Sequence, residues 1–232
     1  MRRGPLRLLL YVALGALAVV VVSRLRIRAV DLVMLACVVP SIIVHEVSHG
    51  YVALLFGDDT AKRAGRLTLN PLRHVDPFGT ILLPVMLLLT GLPAFGYAKP
   101  VPVNVGRLRS PRNQGVVVSL AGPAVNIAVA AACALALRYS LVGGTTALSA
   151  AGVVTVLGLI NTVLAAFNLI PIPPLDGSAV VERLLPARMW PQYLAVRRFA
   201  MPVLIVVVLV LPGGLGRLIQ PAISLWQHAA GG

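Results

Sequence analysis

Apolar residues run in long blocks along this chain, at residues 6–22, 29–56, 78–95, 115–137, 152–172 and about 202–226, with polar connectors at 57–77, 96–114, 138–150 and 176–199. Each block approaches or exceeds the roughly 20 residues that carry a helix across a bilayer. The pattern predicts an all-α polytopic membrane protein with about five or six transmembrane helices. No connector is long enough for a soluble domain. Residues 1–232 therefore read as a single membrane-embedded domain, with a core at about 29–185, an N-terminal span at 6–22 and a C-terminal span at 202–226. The start "MRRGPLR" and the apolar run behind it have the form of a signal peptide. "SRLRIR" follows in place of a small-residue cleavage site, so the run is expected to stay as a span or signal anchor.

Composition sharpens this. Hydrophobic residues make up 58% of the chain and charged residues 12%, with a mean hydropathy of +0.91, which excludes an ordinary soluble domain. The net charge of +13 is spread between apolar runs and forms no stripe with interleaved aromatics. It therefore speaks against nucleic acid and for anchoring at anionic lipid headgroups. Cys37 and Cys133 each sit in an apolar run without CxxC spacing, so neither a disulfide framework nor a thiolate metal site is expected.

The acidic residues are few and their places informative. Asp31 can cap the start of a helix, and Asp58, Asp59, Asp76 and Glu182 fall in connectors. Glu46 lies inside a span and Asp176 closes another, in "FNLIPIPPLDGS"; ionisable residues at such depth mark function. Glu46 belongs to "HEVSH". On a helix, His45 and His49 project from one face one turn apart and can grip one metal ion. Glu46 can take a proton from a metal-activated water and pass it to the leaving amine. A catalytic zinc wants three protein ligands and an open position. Asp176, at an irregular turn after a proline break, is favoured as the third. His74, in the polar "NPLRHVDPFGT", is the alternate ligand, otherwise a structural or gating hydrogen bond, and His228 belongs to the C-terminal tail.

HExxH in a span, followed by "AGPAVN" and then "NLIPIPPLDG", resembles the site-2 proteases, zinc metalloproteases that cut transmembrane helices within the membrane. The similarity covers roughly residues 40–185. It implies zinc ligands His45, His49 and Asp176, one zinc per chain, and Glu46 as the catalytic acid/base. It also implies that Asn168, with Asn126 and Asn161, holds the substrate backbone or stabilises the oxyanion. Interhelical hydrogen bonds are the open alternative for Asn126 and Asn161. "GYAKPVPVN", residues 96–104, resembles the family's membrane-associated β-hairpin, an edge on which an unwound substrate helix could pair as an added strand. The chain resembles a short bacterial-type member without an appended regulatory domain. The implied function is an intramembrane zinc metalloendopeptidase that hydrolyses peptide bonds within or near transmembrane helices, with membrane-protein substrates and lipid as partners.

Topology adds one constraint. His45 and His49 lie near the C-terminal end of their helix, and Asp176 lies just past the end of its own. For these to meet, the two helices must run the same way, so one intervening apolar block fails to span. Pro84, Gly91 and Pro93 make 78–105 the expected re-entrant segment. The basic clusters at 62–73, 99–112 and 183–198 then share the active-site face, which the positive-inside rule makes cytoplasmic, in a bacterial inner or plasma membrane. Two other classes compete: a membrane zinc-binding transporter, which would carry flux, and a non-catalytic scaffold, which would tolerate Glu46→Gln.

Overall fold

A computed structural model of the chain describes residues 29–76, 79, 82, 98–210 and 212–232. Its helices are α1 (Ala29–Leu55), α2 (Thr60–Arg63), α3 (Pro111–Arg138), α4 (Ala150–Asn168), α5 (Ser178–Leu184), α6 (Trp190–Arg197), α7 (Ala200–Val210) and α8 (Pro212–Ala229). Short three-ten turns lie at Pro71–Arg73, Val105–Arg107 and Ala187–Met189. Among the described residues, three helices, α1, α3 and α4, are long and apolar enough to cross a membrane.

These three pack against one another, and α8 closes over α3 and α4. Large apolar side chains such as Leu32, Leu35, Val117, Ile127 and Leu135 point outward and are exposed, while Ala130, Cys133, Ala134, Asn126 and Asn161 are buried. That arrangement suits lipid as the solvent. Without a hydrophobic force between helices, small residues let backbones approach and polar groups pair across the interface. At one end of the bundle the Trp226 ring lies over Ala130, Cys133 and Ala134, and its indole N–H donates to the Ala130 carbonyl at 2.7 Å. A Cβ at Gly158 would collide with that ring.

The helix boundaries follow local chemistry. Gly57, at φ 105°, ends α1 in a conformation that glycine adopts without strain. Pro111 starts α3, where a missing N–H costs nothing. Ser149 caps α4 by accepting from the Gly152 N–H at 3.1 Å.

Several expectations change. The span expected at 152–172 ends at Asn168, and residues 169–177 form a turn-rich connection that carries Asp176. The C-terminal span expected at 202–226 is helical over its described parts, in α7 and α8 on either side of residue 211, which lies outside the described residues. The β-hairpin-like stretch at 96–104 is, over its described part 98–104, an irregular connector, and no strand occurs among the described residues. Its backbone groups bond to the side chains of Glu46, Asp58 and Arg66 and, at Lys99, to the His74 carbonyl. The N-terminal span at 6–22 and most of the re-entrant segment at 78–105 lie outside the described residues.

Candidate metal centre

The HEVSH turn of α1 faces the interior of the bundle. His45 and His49 are buried, with their rings edge to face and centroids 4.8 Å apart. Asp176 reaches them from the connection after α4. Its Oδ2 lies 3.1 Å from His45 Nε2 and 3.5 Å from His49 Nε2. One ligand atom from each of the three residues falls within 4.8 Å of the others. The turn that presents Asp176 closes when the Gly177 N–H donates to the Asn168 carbonyl at 2.7 Å. A Cβ at Gly177 would run into the Leu169 carbonyl, so that closure requires glycine.

The residues present fit a metal ion. Asp176 Oδ2 is buried and accepts no hydrogen bond, and two ring nitrogens face it. Gly122 of α3 keeps the space in front of them clear, because a Cβ there would stand 2.5 Å from Nε2 of both histidines. Two imidazole nitrogens and one carboxylate oxygen form a donor set suited to zinc with a position left open.

Both rings are oriented from behind. His49 Nδ1 pairs with the Val118 carbonyl at 2.7 Å, and His45 Nδ1 with Asn126 Oδ1 at 2.5 Å. The Asn126 amide donates to Asn161 Oδ1 at 2.6 Å. Asn161 in turn donates to Ser41 Oγ and to the Leu157 carbonyl, both at 2.9 Å. Asn126 and Asn161 are buried behind His45, their amides engaged by protein partners. Asn168 is half-buried and donates back to the Leu164 carbonyl at 3.0 Å.

Glu46 is half-buried beside His45, and its Oε2 accepts from the Val101 N–H at 2.9 Å. Val101 belongs to the 98–104 connector, which three side chains tie down. Arg66 donates to the carbonyls of Lys99 at 2.6 Å and Pro100 at 3.3 Å, and also to that of Arg73. The Lys99 N–H reaches the His74 carbonyl at 2.9 Å. The Asn104 N–H donates to buried Asp58 at 2.6 Å. Burial pushes the Asp58 carboxyl up, but the Thr60 hydroxyl, the Asn104 and Thr60 N–H groups and the Arg107 guanidinium together hold it below its ordinary value. Gly50 makes the crossing possible, since a Cβ there would meet Val101 Cγ1 at 2.8 Å.

His74 is buried in the loop after α2 with its Nε2 on the Thr68 carbonyl at 2.8 Å, and it is not part of the His45, His49 and Asp176 group. Sequence reading missed Ser41, Gly50, Val101, Val118 and Gly122. Ser41 alone carried a signal, lying one turn before His45 on the same helix face.

Beside Asp176 a cavity of about 440 Å³ opens between α3 and the α5–α6 region, lined by Ser119, Val116, Arg112, Glu182, Arg183 and Trp190 among others. Glu182 is held there by Arg197 at 3.1 Å and by the Tyr193 hydroxyl at 2.8 Å. Burial, then the Glu182 carboxylate, push the Tyr193 hydroxyl up to about 12.

Together the helix bundle and the two-histidine, one-carboxylate cluster define a membrane-helix protein of metallohydrolase type. Residues 139–211, which include Asp176, match the family described as "Peptidase family M50". The relatives include three named "Putative zinc metalloprotease". YwhC of Bacillus subtilis (strain 168) is 46% identical over 151 residues, 63% of this chain and 66% of that one. Rip2 of Mycolicibacterium smegmatis is 32% identical over 224 residues, 91% of this chain and 77% of that one. The Rip2 of Mycobacterium tuberculosis (strain H37Rv) is 35% identical over 171 residues, of which the match spans 64% of the relative's length. No solved structure matches the chain. The chain belongs to peptidase family M50, the site-2 proteases.

Proposed function

We propose that the chain is an intramembrane zinc metalloendopeptidase that hydrolyses peptide bonds within or near transmembrane helices of membrane-protein substrates. The observation that carries this reading is the convergence of His45, His49 and Asp176 inside a bundle of membrane-length helices, with Glu46 alongside. His45, His49 and Asp176 would hold one zinc per chain. Zinc, when bound, supplies a Lewis acid that acidifies a water molecule and polarises the scissile carbonyl.

The chain's own groups do the rest. Val101 holds Glu46 by Oε2, which leaves Oε1 to take the proton from the attacking water and return it to the leaving amine. The 98–104 connector runs beside Glu46 and offers backbone groups to a substrate segment that has unwound, so the scissile peptide lies next to the proton acceptor. An intact helix keeps its peptide bonds in its own ladder, which favours substrates with Gly or Pro near the cut. The cavity beside Asp176 gives water and polar substrate residues a route from the face that carries Arg112 and Arg183. The basic connectors support a cytoplasmic orientation for that face, by the positive-inside rule. Asn168, at the end of α4, remains the asparagine suited to a substrate contact.

The test is cleavage of a model transmembrane substrate by the detergent-purified chain, beside Glu46→Gln. The expected result is about 100- to 10,000-fold slower cleavage by the variant with zinc retained. Cleavage at the wild-type rate would refute the assignment.

A further inference from the structure

We infer that Asn126, Asn161 and Ser41 are positioning residues that lock the His45 imidazole as its Nδ1–H tautomer, through a hydrogen-bond chain that can run in only one direction. This rests on the reading of His45 as a metal ligand.

The direction is set at the end of the chain farthest from the metal centre. The carbonyls of Leu157 and Cys37 are backbone acceptors and cannot donate. The Asn161 atom that faces Leu157 O at 2.9 Å must therefore be its NH₂. That NH₂ also donates to Ser41 Oγ at 2.9 Å, and the Ser41 hydroxyl passes its own proton to Cys37 O at 2.7 Å. With its NH₂ committed, Asn161 can present only Oδ1 to Asn126, 2.6 Å away, so Asn126 donates. Asn126 is then left with Oδ1 toward His45 Nδ1, at 2.5 Å, and that nitrogen has to carry the proton. Nε2 is the ring nitrogen left to face Asp176.

Reversing any one amide would set donor against donor or acceptor against acceptor where no water is at hand to compensate, since Asn126 and Asn161 are each only 1% exposed. His49 reaches the same protonation pattern by a single bond to the Val118 carbonyl. For His45 the acceptor comes from α3, is oriented from α4 and is anchored back on α1. Its tautomer is thereby coupled to the packing of all three membrane-length helices. Partners of this kind orient a ligating histidine and raise its basicity, and their loss typically weakens metal binding about 10- to 100-fold.

The test uses the full chain in detergent, with Zn²⁺ affinity measured by chelator competition and ¹⁵N spectra of histidine-labelled, metal-free protein. The wild type should show His45 protonated at Nδ1. Asn126→Leu should lose that signature and bind Zn²⁺ about 10- to 100-fold more weakly. Asn126→Asp, whose carboxylate can only accept, should recover the tautomer and most of the affinity. Asn161→Leu touches no ligand and should give mixed His45 tautomers with a smaller loss. The His49 Nδ1–H signal, unchanged throughout, reports an intact bundle. A wild-type His45 protonated only at Nε2 would overturn the inference, as would Asn126→Leu and Asn161→Leu keeping the wild-type tautomer. His45→Ala binding Zn²⁺ as tightly as the wild type would overturn instead the metal reading on which the positioning role depends, leaving the tautomer result standing.

Discussion

Two stretches of the same three-helix bundle are held together by opposite means. Around His45 the interior is polar, and side chains from α1, α3 and α4 are bonded in series from Ser41 through Asn161 and Asn126 to the imidazole. Two turns further along α3 the interior is small and apolar, where Ala130, Cys133 and Ala134 sit under the Trp226 ring beside Gly158. In lipid, apolar surface alone does not draw helices together, so the second region relies on close backbone approach and ring packing. The first spends its contacts on direction. Hydrogen bonds fix where two imidazoles point, which packing of small residues could not do.

Each region has a glycine that a single methyl group tests. Gly122→Ala puts a Cβ against both ligand nitrogens, and a displacement on the order of 1 Å at a reacting centre can cost about 100-fold in rate. Zinc content and cleavage should fall together in this variant while helix content stays. Gly158→Ala should do the reverse. Overpacking against Trp226 costs about 1–3 kcal/mol in resistance to unfolding, with about one zinc per chain retained. Equal zinc loss in the two variants would erase the distinction between the regions.

A smaller effect is expected at the edge of the polar region, where Asp58 and Arg66 pin the connector that delivers the Val101 N–H to Glu46. Asp58→Ala removes the carboxylate that accepts from the Asn104 N–H, and a hydrogen bond to a charged group contributes about 1.5–3 kcal/mol, a loss read as faster hydrogen exchange over residues 98–104. The pH dependence has the same origin. The folded-state value of Asp58 lies below its unfolded one. Its contribution is therefore full above the ordinary carboxylate range and is lost as pH falls through the depressed folded value. Protection over 98–104, taken relative to the intrinsic exchange rate at each pH, should fall in acid in the wild type and show less of this dependence in Asp58→Ala.

What could be read from the chain alone followed the range of each interaction. His45, Glu46 and His49 lie within one turn of one helix, so spacing was sufficient. Asp176 was legible because prolines and a glycine mark the turn that carries it. Asn126 and Asn161 were named through the family resemblance, with interhelical hydrogen bonds as the alternative, and their partners depend on how α3 and α4 are rotated, which hydropathy does not encode. Gly122 looks like any small residue of a membrane helix until the imidazoles are placed against it. The β-hairpin expected at 96–104 came from the family resemblance, but in 98–104 the backbone groups bond to the Glu46, Asp58 and Arg66 side chains and to the His74 carbonyl, and no strand forms among the described residues.

The most direct test of the central claim is the zinc content of the purified wild type beside Asp176→Ala. About one zinc per chain in the wild type, and strongly weakened binding in Asp176→Ala with the helices intact, is the result this account predicts. Equal zinc in both proteins would contradict it, because Asp176 would then not be a ligand and the convergence of α1 with the turn after α4 would have another purpose.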